Sequence, residues 1–483
     1  MSLIPLWPGL TYFDHQVTGI EWMLKKERTG TEVPTKDKTG TVIVRGGLQC
    51  DDMGLGKTIQ MIATMANHRV KATLLLVPLS MIRTWSDVCI QAGMIVYEAE
   101  KGTWVRGKIS TSIPRHFMKL RPRVYITNYE KLYHHPKLIQ QEWDRVVLDE
   151  AHKIRNGDGD LAYRIRKISA PLRWAVTGTP LVNSKKDVVS LLGFVGVPVS
   201  ILWTWEKHYN TILPQLLLHR SLDSLRSSIR GAPPLPIIEN NMLPFHTPQE
   251  DEFYHGVQGA SAAMMEKYSN DLLTTNQSFL LLLRLRQISV HPQVYINAKR
   301  REDPHYSRPD WNKSSTKLER IGAIIDADDT ESIHKYIIFC QFHDEMELIH
   351  EYLQDKIEED HILMYHGGMN QAERIKILAQ SKQTTKPTVL LLQLQAGGIG
   401  LNLQEYDRIL FVSPWWTAAL MDQAIARAVR IGQTKVVKIY HLHLDAEAES
   451  TINIDNLVHQ KAEGKRKMLE ELFVLCERES FDE

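Results

Sequence analysis

Asp51-Asp-Met-Gly-Leu-Gly-Lys-Thr-Ile-Gln60 places a glycine-rich turn directly before Lys57 and Thr58. Before it, Val42 to Cys50 is short, β-prone and punctuated by glycine; after it, Thr58 to Asn67 carries Ile59, Ile62, Ala63 and Ala66 at helical spacing. Strand, glycine-rich loop and helix together make a phosphate cradle. Glycines let backbone N–H groups turn inward onto phosphate oxygens, and the helix N-terminus adds partial positive charge. Lys57 is placed to reach terminal phosphates and Thr58 to ligate Mg²⁺. The stretch departs from the general pattern G-x-x-x-x-G-K-[ST] at Asp51, where a glycine is usual. Taken alone, it leaves open an ordinary strand-to-helix turn that holds Gly-Lys-Thr.

The chain has 483 residues, of which 43% are hydrophobic and 24% charged, enough for about two to four soluble domains with real cores. Its apolar runs, such as Val389 to Leu392, are strand-length and far short of the ~18 residues of a membrane span. No charged n-region followed by an apolar h-region opens the chain, so secretion is not expected. Four scattered cysteines, Cys50, Cys89, Cys340 and Cys476, argue against a zinc module and a disulfide framework and fit a reducing compartment. A net charge of +1 means that any basic surface is local.

Outward from the loop, Leu10 to Trp22 reads as an amphipathic helix and Glu27 to Gly47 as a surface loop rich in Gly, Pro and alternating charge. Ala72 to Pro78 is a buried strand stopped by proline, followed by a helix over Ser80 to Ala92. Lys101 to Arg123 holds seven Lys or Arg and no acidic residue, a phosphate-contacting stretch or a solvated loop. Further strands are predicted at Val124–Thr127, Arg145–Asp149 and Arg173–Thr177, then a helical insertion over about 185–232 and a linker at Pro233, Pro234 and Pro236. A second helical insertion covers about 247–297. A second series of strands then runs through Tyr336–Cys340, His361–Tyr365, Thr388–Leu392, Arg408–Val412 and Val436–Leu442. The alternation predicts an α/β chain of two lobes, 1–238 and 239–483, each a parallel sheet covered by helices.

Asp149-Glu150-Ala151-His152 follows the apolar run Val146-Val147-Leu148, putting two carboxylates at a strand's C-terminal end, where open α/β sheets bind ligands. Asp149 suits a Mg²⁺ ion and Glu150 suits the orientation and deprotonation of an attacking water. Thr177-Gly178-Thr179-Pro180 ends the next strand; it is a phosphate-sensing hydroxyl pair or a plain turn. In the second half, Gln395 to Asn402 is glycine-rich, and Asp422 to Gln433 sets Arg427 and Arg430 three apart on one predicted helical face. They would stabilise charge on a transferring phosphoryl group, with surface salt bridging as the plainer role.

The ordered set of motifs resembles that of Swi/Snf-type DNA translocases. It runs through Asp51–Gln60, Leu75–Trp85, Val124–Leu132, Val146–Asn156, Ala175–Asn183, Lys335–Phe342, Tyr365–Met369, Leu391–Leu403 and Asp422–Gln433. Asp51 fits that family's version of the loop. Leu283-Arg-Leu-Arg-Gln287 with His291-Pro292, and Pro414-Trp415-Trp416, look most similar to the branch of post-replication-repair and transcription-termination ATPases.

The resemblance implies two RecA-like lobes and an ATP-hydrolysing, Mg²⁺-dependent motor on double-stranded DNA. Such a motor tracks along the duplex without obligatory strand separation and remodels or displaces bound proteins; a strand-separating DNA or RNA helicase and a non-hydrolysing scaffold are the alternatives. The nucleotide would be held by Gln16, Asp52, Met53, Gly54, Leu55, Gly56, Lys57, Thr58 and Gly400, with Thr58 and Asp149 on Mg²⁺. Lys57, Asp149, Glu150, Arg427 and Arg430 would carry catalysis. DNA contacts would fall at Ser80, Thr127, Lys153, Arg155, Gln341, Gln395 and Trp415. The chain departs from family habit at Gln393 (usually Ser), Ser413 (often Asp), Thr417-Ala418 (Asn-Pro), Ala426 (Asp) and Val429 (His). Chromatin remodelling, repair and termination are the pathways implied, alone or as a subunit of a DNA-bound complex. The nucleus is the expected location, or the cytoplasm or virion for a viral chain. Neither a zinc-binding ligase insertion nor a membrane association is expected.

Overall fold

Apolar strand runs separated by helical segments build two sheets, one in each of two units of the chain. The computed structural model describes residues 3–35, 40–107, 121–268, 275–328, 332–397, 401–446 and 453–479. Unit one is Met1–Ala232 with Lys465–Glu483, and unit two is Pro233–Gly464.

Unit one contains β1 (Thr31–Pro34), β2 (Thr41–Val44), β3 (Gly46–Gln49), β4 (Ala72–Val77), β5 (Ile95–Glu100), β6 (Thr103–Arg106), β7 (Arg123–Asn128), β8 (Arg145–Asp149), β9 (Leu172–Val176) and β10 (Leu217–Leu218). Eight of them form one sheet in the order β10-β3-β9-β8-β4-β7-β5-β6, while β1 and β2 pair in a separate ribbon. All pairings in the large sheet are parallel except β5 with β6. Period-two alternation sends Leu74, Leu76, Val146 and Leu148 into one core and Leu75, Val77 and Val147 into another, so both faces of the sheet are covered. Helices Asp14–Arg28, Lys57–Asn67 and Ile82–Gln91 pack on the second face. Helices Asp160–Arg166 and Lys185–Val195 pack on the first, joined there by Leu472, Phe473 and Cys476 of the C-terminal helix Ile454–Glu479.

Unit two contains β11 (Ile237–Leu243), β12 (Lys335–Cys340), β13 (Ile362–Tyr365), β14 (Thr388–Gln393), β15 (Arg408–Phe411) and β16 (Lys438–Leu444), all parallel in the order β11-β16-β15-β12-β14-β13. The same alternation operates: Ile338, Leu391 and Leu410 enter one core, and Ile337, Leu390 and Ile409 the other. Each unit is thus an α/β lobe with a helix-covered parallel sheet.

The structure departs from the sequence reading in five places. Val42 to Cys50 is two strands, broken at Arg45–Gly46; Gly46 sits at φ +121°, and a Cβ there would lie 1.9 Å from the Arg173 carbonyl oxygen. The supposed loop Glu27 to Gly47 therefore holds the β1–β2 ribbon. The insertion at 185–232 is not purely helical, because β10 returns from it to the sheet edge beside β3. The proline linker leads at once into β11, an edge strand of the second sheet. Finally, residues 465–483, read as part of the second lobe, belong to unit one, where Phe473 and Leu472 find their apolar partners.

Candidate nucleotide site and associated residues

Parallel pairing places the carboxyl ends of β3, β9 and β8 side by side, with β9 between the other two. From β3 the chain enters the loop Asp51–Gly56 and then helix Lys57–Asn67. Gly54 (φ +90°) and Gly56 (φ +81°) take left-handed conformations, which glycine adopts without steric cost. A Cβ on Gly56 would come within 2.5 Å of Gln16 Nε2, so this glycine also admits the Gln16 side chain against the loop. Gln16 Nε2 donates to the Leu55 carbonyl at 3.3 Å, and His15 Nε2 lies 3.0 Å from the same oxygen. Lys57 Nζ donates to the carbonyls of Asp51 at 2.7 Å and Asp52 at 3.1 Å. Thr58 follows on the first turn, half-buried. The turn after β9 lies against this loop: a Cβ on Gly178 would be 3.3 Å from both Lys57 Nζ and Met53 Cε.

β8 delivers Asp149 and Glu150. Asp149 is buried; its Oδ2 accepts from Trp85 Nε1 at 2.7 Å and its Oδ1 from the Glu150 N–H at 3.1 Å. Burial, and then the neighbouring Glu150 carboxylate, push its pKa up to about 7. Two carboxylates crowded in this way are a donor set that a divalent cation would relieve. Glu150 has φ +51°, an uncommon conformation for a side-chain-bearing residue and the kind of strain that collects at functional positions. His152 Nδ1 lies 3.3 Å from Glu150 Oε2, 3.2 Å from Thr177 Oγ1 and 3.4 Å from Thr179 Oγ1. Burial lowers its pKa, favouring a neutral ring that links the end of β8 to the turn after β9.

Several predicted positions stand differently from their expectation. The Asp52 carboxylate is engaged by the protein: its Oδ2 accepts from the Leu222 N–H at 2.8 Å and its Oδ1 is 3.4 Å from His219 Nε2. Burial raises its pKa, but the hydrogen bonds from His219 and Leu222 outweigh that and hold it low. Thr127 is 0% exposed in β7 and so presents no surface to DNA. Arg121, in the basic stretch, donates Nε to the Gly93 carbonyl at 3.0 Å, a structural task; residues 108–120 of that stretch lie outside the described residues. Ser80 and Gln395 are exposed and Arg155 is half-buried. Lys153 is 3.3 Å from Glu130 and stands over the Tyr129 ring.

In unit two, helix Ala418–Ile425 ends before the two arginines. Arg427 N–H bonds to the Ala424 carbonyl and Ala428 N–H to that of Ile425, an i to i−3 pattern that tightens the turn and ends the regular helix. Arg427 and Arg430 therefore occupy successive turns beyond a helix rather than one helical face. Burial lowers the pKa of Arg430. The segment is pinned by Gln433 Nε2, which bonds the carbonyls of Gln404 at 2.8 Å and Tyr406 at 3.1 Å. Gln341 Nε2 donates to the Pro414 carbonyl at 3.1 Å, and Trp415 carries the Arg286 guanidinium 4.9 Å from its ring centroid. Gly400 lies outside the described residues.

What sequence reasoning missed is the set of side chains that hold these groups. Asp51 is fully buried, and its carboxylate accepts from Arg220 Nε at 2.9 Å, Gln49 Nε2 at 2.8 Å and Gln60 Nε2 at 3.0 Å. Glu27, at the far end of the helix bearing Gln16, receives Arg145 Nε at 2.6 Å and Trp174 Nε1 at 2.8 Å, with His68 Nδ1 at 2.6 Å. Phe473 stacks face to face on His219 at 3.4 Å. No local signal announces these pairs; the one hint was a charged residue, Asp51, at a glycine position.

Among known proteins, the SNF2-related domain family matches residues 15–294, and the helicase conserved C-terminal domain family matches residues 316–432. A probable global transactivator of Orgyia pseudotsugata multicapsid polyhedrosis virus is 28% identical over 90% of this chain and 86% of its own length. The ISWI chromatin-remodeling complex ATPase ISW2 of Saccharomyces cerevisiae is 24% identical over 94% of this chain, which spans 41% of that longer protein. The solved SWI2/SNF2 ATPase core of Sulfolobus solfataricus, in complex with dsDNA, aligns over 98% of both chains at 21% identity with a TM-score of 0.41.

Proposed function

The chain belongs to the SNF2-related family of helicase-like, DNA-dependent ATPases, and from that premise we propose that it hydrolyses ATP to move along double-stranded DNA, displacing or remodelling bound proteins without obligatory strand separation. The observation that carries the reading is the meeting, at one sheet edge, of the Lys57 loop, the Gly178 turn and the Asp149–Glu150 pair.

Each group has a task that its placement suits. Left-handed Gly54 and Gly56 open the loop's N–H groups to phosphate oxygens, and Lys57 exchanges its carbonyl partners for the terminal phosphates. Gln16, held against the loop, reads the adenine. Thr58 and Asp149 would hold Mg²⁺, which when bound supplies positive charge to the phosphates. Glu150 orients and deprotonates the attacking water, and His152 connects it to the Thr177–Thr179 turn. Arg427 and Arg430 are assigned, from the family resemblance, the role of charge donors to a transferring phosphoryl group. Ser80, Lys153, Arg155, Gln341, Gln395 and Trp415 are the proposed DNA contacts, with Thr127 removed from the set.

Triplex displacement and duplex unwinding, measured on the same protein, separate a duplex tracker from a strand separator. The expected result is ATP-dependent displacement of the third strand with no unwinding of the underlying duplex. Unwinding without triplex displacement would reject the proposal.

A further inference from the structure

The Asp51 carboxylate, fully buried beneath the phosphate loop, meets a residue 169 positions away, Arg220. The guanidinium serves two elements. Toward the loop, its Nε donates to Asp51 Oδ1 at 2.9 Å and its Nη2 to Gln60 Oε1 at 3.0 Å. Toward helix Asp14–Arg28, its Nη1 donates to Thr18 Oγ1 at 2.9 Å and to the His15 carbonyl. The helix approaches closely enough that a Cβ on Gly19 would lie 2.1 Å from Gln60 Oε1 and 2.5 Å from Arg220 Nη2. Gln60 in turn donates to the Leu55 carbonyl at 3.2 Å, the oxygen that Gln16 also engages. Arg220 is itself fixed by the backbone: Cys50 N–H bonds the Leu218 carbonyl at 2.7 Å and Asp52 N–H bonds the Arg220 carbonyl at 3.0 Å.

We propose that Arg220 is a positioning residue that locks the adenine-side helix to the phosphate loop, so that base and phosphates are gripped by one rigid assembly and adenine preference depends on it. The inference rests on the ATP reading above. Its chemistry is that of the planar fork: five donors in one plane bridge Asp51, Gln60, Thr18 and a carbonyl together, which an ammonium cannot do. The side chain is only 16% exposed and faces the underside of the loop, so it orders the site without touching the reacting atoms. The Lys57 partner is the Asp51 carbonyl, one bond path from the clamped carboxylate, and this is how the clamp reaches the phosphate end.

The test uses the full chain with Arg220→Gln, Arg220→Lys, Asp51→Asn and the Arg220→Gln/Asp51→Asn pair, and with Lys57→Ala as reference. Steady-state hydrolysis of ATP and of GTP is measured for each, together with equilibrium binding of a fluorescent ADP. Arg220→Gln is expected to raise KM for ATP and the ADP Kd by about tenfold with kcat within about threefold. It is also expected to shrink the ATP-over-GTP preference in KM. Arg220→Lys should recover part of both effects, and the double variant should be no worse than Arg220→Gln, the non-additivity of a direct pair. If Arg220→Gln fails to fold, the double variant, which leaves no unpaired buried charge, carries the same expectation. Unchanged KM and unchanged ATP-over-GTP preference in a folded variant would overturn the proposal, as would multiplying effects in the double variant. A wild-type chain that neither binds nor hydrolyses ATP, or full turnover in Lys57→Ala, would instead bring down the ATP reading on which it rests.

Discussion

The carboxyl edges of the two sheets solve the same problem with different residues. In unit one, three carboxylates at the strand ends are held by partners far away in sequence: Asp51 by Arg220, Asp149 by Trp85, Asp52 by His219 and the Leu222 N–H. In unit two, position 413, where the family resemblance leads one to expect an aspartate in many members, is a serine, yet the buried Lys317 beneath it is not left unpaired. Its Nζ donates to Ser413 Oγ at 2.9 Å and to Asp455 Oδ2 at 2.6 Å. Asp455 also accepts from Ser289 Oγ and from the Leu444 N–H, both at 3.0 Å. Gln393, another departure, uses its extra length to accept from the Gly367 N–H at 2.9 Å. A buried charge can be paired by a side chain from any element that reaches it, as Lys317 is by Asp455 and Asp51 by Arg220.

Breaking the deepest partner on each side gives the largest effects. Glu27→Gln leaves Arg145 buried beside a neutral group and is expected to destabilise unit one by about 3–5 kcal/mol, read from chemical denaturation of the full chain. A loss under about 1 kcal/mol would mean that the network ties nothing together. Next, Asp455→Asn should cost unit two roughly 3 kcal/mol, and adding Ser413→Asp should restore most of it, because the new carboxylate enters within reach of Lys317. Failure of that rescue would refute the exchange of one carboxylate for the other. Trp85→Phe removes the N–H on Asp149, a charge-assisted bond of roughly 1.5–3 kcal/mol; kcat should fall at least about tenfold with ADP affinity nearly unchanged. The smallest effect is Phe473→Leu, which keeps the site apolar but loses the ring stack on His219, about 0.5–1.5 kcal/mol. It should appear as a modest rise in KM for ATP; no change would show that the C-terminal helix packs on unit one without supporting the loop.

Much of the fold was legible because buried parallel strands announce themselves: Leu74 to Val77, Val146 to Leu148 and Val389 to Leu392 are continuous apolar runs. The loop residues and the Asp149–Glu150 pair stand out in the sequence because phosphate and metal chemistry restrict both residue type and spacing, and the fold brings them to one sheet edge. Other features carried no period to read. β10 is two residues long and is defined only by its partner β3. Thr127 looked available because a motif gives a position in sequence and no exposure. The arginines at 427 and 430 matched helical spacing, but tight turns and the Gln433 amide set their actual path. Arg220 on Asp51, Trp85 on Asp149, and Arg145 and Trp174 on Glu27 are tertiary partners, between 64 and 169 residues away from the groups they hold.

Whether the edge formed by β3, β9 and β8 hydrolyses ATP in response to duplex DNA is decided by steady-state ATPase of the wild type and Glu150→Gln. Each is compared without nucleic acid, with single-stranded DNA, with duplex DNA and with RNA. The expected outcome is strongest stimulation by duplex DNA in the wild type and a loss of about 10²–10⁴ in turnover in Glu150→Gln with ATP binding retained. Unchanged hydrolysis in Glu150→Gln, or stimulation by single strands or RNA but not by duplex DNA, would contradict it.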